Sequence, residues 1–101
     1  MADIRLRYLE NLKNDVKAIS QIADANMTQD ILGRYRSRAR VRLTQVPPVP
    51  SYNPDHMAKK LKALRAVLEQ VSLLGDSALN DNVFKPIRQQ ARNALVLAGA
   101  V

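Results

Sequence analysis

Five arginines at alternate positions, Arg34, Arg36, Arg38, Arg40 and Arg42, have the clearest chemical capacity in this sequence. A guanidinium presents a planar fork of donors that matches phosphate or carboxylate oxygens two at a time. Five of the chain's sixteen basic residues within nine positions also create a local positive field. Such a field favours nucleic-acid phosphates, anionic lipid or an acidic protein face. Bond-making chemistry has less to work with. The single histidine, His56, has no cysteine in the chain and no serine partner at a useful spacing. The three glycines stand alone at 33, 75 and 99, so no phosphate-cradling glycine loop exists. Zero cysteines and one histidine leave a zinc or iron–sulfur site almost without ligands. The nine carboxylates are scattered. The expectation is a protein that binds rather than catalyses, with no cofactor, metal or small-molecule substrate.

The element carrying the arginines decides how they are displayed. As a strand, residues 33–43 would put all five on one face, with Tyr35, Ser37, Ala39, Val41 and Leu43 on the other. As a helix, Arg34, Arg38 and Arg42 form one rail and Arg36 and Arg40 a second. An apolar stripe of Ile31, Leu32, Tyr35, Ala39, Leu43 and Val46 runs between them, leaving Gly33, Ser37, Val41 and Thr44 outermost. The stripe extends upstream into Ile31-Leu32, which alternation does not explain. No second β-rich run is available to pair with a strand, whose backbone groups would stay unsatisfied. The helix is the better reading.

Length and composition suit one helical domain. The chain has 101 residues, 47% of them hydrophobic and only 4% aromatic, so the core is expected to be mainly Leu, Ile, Val and Ala. The net charge of +7 is uneven: residues 28–50 hold five basic groups and one acidic, whereas residues 1–27 balance at four and four. No signal peptide or membrane-length apolar run is visible, and the expected location is the cytoplasm or the inside of a viral or nucleoprotein particle.

Along the chain, four helices are expected at about 3–25, 28–45, 54–74 and 86–98, with a proline-rich connector at 46–54. Leu9, Leu12, Val16, Ile19 and Ala23 mark the first, widened by Leu6, Tyr8 and Ile22. Thr28 is placed to cap the second, with Asp30 in its first turn. Asn53 and Pro54 are expected to open the third, whose stripe is Met57, Leu61, Leu64, Leu68, Val71 and Leu74, with Gly75 as its stop. The fourth is expected to begin near Pro86 and bury Ile87, Ala91, Ala94, Leu95 and Ala98. Val96 and Leu97 fall outside that face and, with Val101, are candidates for an assembly interface. No internal repeat stands out.

Two functional expectations follow. One is a non-enzymatic binding and assembly module that oligomerises or docks through apolar helix faces. Its arginines, with Gln29, would contact nucleic acid (DNA or RNA) or an acidic partner. In size, helix pattern, charge and apolar terminus such a chain looks like small adaptor or connector proteins of phage particles, a likeness of architecture alone. The other is a helix-turn-helix DNA-binding regulator over residues 18–38. There Ala25-Asn26-Met27-Thr28 resembles the turn, and Gln29, Arg34 and Arg36 lie near a groove. A basic helix lying on anionic membrane ranks behind both, because the stripe lacks Trp and Phe.

Overall fold

Leucine and β-branched residues at three- and four-residue steps drive four helices, α1 (Ile4–Ser20), α2 (Gln29–Gln45), α3 (His56–Ser72) and α4 (Asp81–Leu97). These come from a computed structural model describing residues 4–48 and 55–99. Among the described residues there is no strand, so the arginine run is helical. The protein is an all-α bundle. Short 3-10 turns, Asp24–Asn26 and Asp76–Ala78, join α1 to α2 and α3 to α4. The connector's last residues, 49–54, lie outside the described residues.

Contacts between chain-distant residues fix the arrangement. Arg5 Nη1 meets Asp55 at 2.8 Å, bringing the starts of α1 and α3 to one end. Arg36 reaches Leu74 and Asp76, and Arg88 reaches Ile22 and Asp24, at the other end. Hence α1 and α3 run parallel, with α2 and α4 antiparallel to them. The core between them contains Leu12, Val16, Leu32, Leu64, Val71 and Phe84, each 0% exposed. Burying each such side chain stabilises the bundle by roughly 1.5–3 kcal/mol.

The caps follow from local chemistry. The Thr28 side chain accepts from the Ile31 amide, as its position predicts, with Asp30 in the first turn of α2. Asn53 and Pro54 lie outside the described residues; the cap of α3 is Asp55, whose Oδ1 accepts from the Ala58 amide at 2.7 Å. That amide, and then Arg5, hold the Asp55 carboxyl below its ordinary range. Helix α1 stops at Ser20, short of the expected 25, and Ala23 is exposed. Ser20 Oγ donates to the Lys17 carbonyl at 2.7 Å, a local bond that competes with continuing the helix. Helix α4 begins five residues before Pro86. Asn80 caps it through the Val83 amide at 3.2 Å. Burial of Phe84 outweighs the one backbone bond that Pro86 cannot make. Gly75 precedes the second 3-10 turn; α3 has already ended at Ser72.

A repeat emerges that the sequence did not announce. Ile4 and His56, Gln29 and Asp81, and Asp24 and Asp76 each stand 52 residues apart, and all four helices are 17 residues long. The chain is two αα-hairpins of equal dimensions, related by an approximate two-fold axis along the bundle. At that offset Leu9 and Leu61, Leu12 and Leu64, Ser20 and Ser72, Asp24 and Asp76, Arg36 and Arg88, Ala39 and Ala91, Arg40 and Arg92, and Leu43 and Leu95 are identical pairs. Arginine clasps obey the same symmetry. Arg36 Nη1 donates to the Leu74 carbonyl at 3.1 Å and meets Asp76 at 2.8 Å. Arg88 Nη1 donates to the Ile22 carbonyl at 2.9 Å and meets Asp24 at 2.6 Å. Each unit thus ties down the other's turn.

Candidate nucleic-acid interface

Helix α2 buries Leu32 and Ala39, with Tyr35 and Leu43 packed beside them, and so turns its two arginine rails to either side. Neither rail is simply presented to solvent. On one, Arg36 is committed to the turn after α3, and Arg40 Nε donates to the Ser72 carbonyl at 3.0 Å, at the negative end of the α3 dipole. On the other, Arg42 Nε donates to Asp15 Oδ2 at 2.6 Å, and its Nη1 donates to Gln45 Oε1 at 3.0 Å. Asp15 itself is buried in α1, 5% exposed. Arg38 Nε approaches the other oxygen of Asp15 at 3.6 Å, while its side chain stays 66% exposed.

Arg36 and Arg42 therefore hold the fold, a correction to the expectation that all five face a partner. Spacing alone could not have shown this, because their acceptors are a turn carbonyl and a carboxylate on other helices. Gln29 is likewise engaged, its Nε2 donating to the Asp76 carbonyl at 3.4 Å. The clasp gives Asp24 a matching perturbation. The Arg88 hydrogen bond and charge hold its carboxyl below the ordinary range.

What remains outward is smaller and better defined. Arg34 is exposed and forms no hydrogen bond or ion pair among the described residues. Arg34 and Arg38 stand one helical turn apart and, with Ile31 and Tyr35, line a depression of about 230 Å³. Two guanidinium groups at that spacing can share a phosphate or take successive ones, and the half-buried Tyr35 forms the floor between them. Arg40 remains exposed on the opposite rail despite its bond to Ser72.

No protein-family model, curated protein or solved structure matches the chain.

The link between α1 and α2 takes eight residues, 21–28, and includes a 3-10 turn, longer than the three- or four-residue turn of a helix-turn-helix. The same link recurs between α3 and α4, as part of the repeat. Val96 and Leu97 are 63% and 60% exposed; Val101 lies outside the described residues. His56 is exposed in the first turn of α3. No cluster of three or more potential metal-ligating side chains is found among the described residues. No helix among them is long and apolar enough to cross a membrane.

Proposed function

We propose that this protein is a non-enzymatic binding and assembly module that grips nucleic-acid phosphates through the exposed side of α2. The observation that carries the reading is Arg34, unpaired among the described residues, beside the largely exposed Arg38 at one shallow depression. Arg40 extends the positive field along the helix. A structural adaptor inside a nucleic-acid-containing particle, of the phage kind, would use such a surface together with a separate self-association face.

Fluorescence anisotropy of a labelled DNA duplex, and of the matching single strand, across a salt series tests the reading. The chain should bind at low salt without sequence preference and release as salt rises. Joint replacement Arg34→Gln and Arg38→Gln should lower the slope of log affinity against log salt by about two. Absence of binding at low salt, or an unchanged slope in the double variant, would remove it. A sequence preference that relaxes on changing Arg34 or Gln29 would instead favour a DNA-binding regulator.

A further inference from the structure

The assembly half of that reading needs a surface, and the second repeat unit holds one that the basic helix does not reach. Helices α3 and α4 border a groove of about 280 Å³ whose described lining has no charged side chain. Ala63, Ala66 and Gln70 form one wall, and Gln90, Asn93 and Leu97 the other. Helical spacing continues both walls with apolar residues. Leu73, 84% exposed, lies beyond Gln70, and Val96 flanks Leu97. Charged neighbours border this face. Lys62 and Glu69 line a different depression with Pro48, and Lys59 stands one turn below Ala63 at the connector end.

Repeat symmetry shows how such a groove is filled when it is closed. The first-unit counterparts of Val67, Ala94 and Gln90 are Asp15, Arg42 and Arg38, whose side chains meet across the α1–α2 seam. In the second unit those positions carry short or neutral side chains and the groove stands open.

We propose that the α3–α4 face is the contact between two copies of this chain, packed antiparallel about a two-fold axis. It deepens the assembly reading by naming its surface and its partner. Three features select a second copy. Carboxamides are both donors and acceptors, so a face bearing Gln70, Gln90 and Asn93 is complementary to itself. Alanines at 63 and 66 let facing helices approach closely. With a net charge of +7, the chain is repelled by its own kind, and an uncharged face is where two copies can meet while their arginines point apart. Antiparallel packing also sets the two Lys59 side chains at opposite ends of α3, about 25 Å apart along the axis.

Sedimentation equilibrium of the intact chain, at salt high enough to screen charge-mediated association, tests the proposal. A dimer is expected. Gln90→Lys and Ala66→Arg should each raise its dissociation constant about tenfold or more with helix content by circular dichroism unchanged. The Arg34→Gln, Arg38→Gln double variant should leave it unaltered. Should Ala66→Arg unfold, the exposed Gln90 position still decides. A monomer at all concentrations, or a dimer indifferent to Gln90→Lys, overturns the proposal, as does a dimer lost only in the arginine variant. DNA binding is read separately. Its loss with the dimer intact rejects the phosphate-binding reading alone, and a DNA-binding monomer rejects the dimer alone.

Discussion

The two halves of the bundle share one backbone plan and differ in what seals their outer seams. Between α1 and α2 the seam is polar, with Asp15 buried beneath Arg38 and Arg42. Between α3 and α4 the corresponding positions are Val67, Gln90 and Ala94, none of them charged. The inward-facing residues and the paired arginine clasps keep the two-fold plan, so the outward seams are free to diverge. One has become a charged surface and the other a neutral one. A buried ion pair is a weak source of stability compared with an apolar pair of similar volume. The polar seam thus fixes α2 against α1 through Arg42 and Asp15, although an apolar pair there would hold the fold as well.

Substitutions at related positions of the two halves separate what they share from where they differ. The largest effect is expected in the core they share. Phe84→Ala should destabilise by about 3–5 kcal/mol and its counterpart Leu32→Ala by about 2–5 kcal/mol, measured by urea unfolding. A much smaller cost at either would mean the halves are not equally cored. Next comes the seam. Asp15→Ala leaves the guanidinium of Arg42, 22% exposed, without its carboxylate and should cost about 2–3 kcal/mol. Converting the seam's buried ion pair to the second-half residues, Asp15→Val with Arg42→Ala, should fall within about 1 kcal/mol of the parent. If the double change costs as much as the single one, the equivalence of the two seams fails.

Smaller again is the clasp. Because the Asp24 carboxyl sits below its ordinary range, its contribution is present above the unfolded-state value of about 4 and lost as pH falls through the folded-state value. Asp24→Asn should lower the unfolding midpoint at neutral pH and narrow the gap to the parent below about pH 4. A gap that widens on acidification would contradict the clasp. The smallest change is Gly33→Ala, where the added Cβ would meet Leu79 Cδ1 at an ordinary 3.7 Å. In the second turn of α2 it should stabilise by about 0.5–1 kcal/mol, seen as a raised melting temperature.

The helices and most of the core were legible in the sequence, because apolar residues at three- and four-residue steps report burial directly. Leu9, Leu12, Leu61, Leu64, Leu68 and Ala91 all face inward as that spacing implies. Phe84 escaped because Pro86 suggested a later helix start, although Asn80 ahead of it is a good capping residue. The repeat escaped because many of its matches are leucine or alanine, which any helical bundle has in plenty. The informative pairs are Asp24 with Asp76 and Arg36 with Arg88, and Arg36 is hidden inside the arginine run. Which arginines would face outward was not legible at all. It depends on Asp15, Ser72, Leu74 and Asp76, whose proximity is a property of the packed bundle.

Light scattering across a salt series, with and without duplex DNA, shows whether the bundle joins copies through its neutral face and binds DNA through its charged one. Without DNA, the mass should be about twice the chain's 11.3 kDa and insensitive to salt. With DNA, a heavier complex should form at low salt and fall back to that dimer as salt rises. A particle of single-chain mass at every salt concentration, unchanged by DNA, would contradict the account.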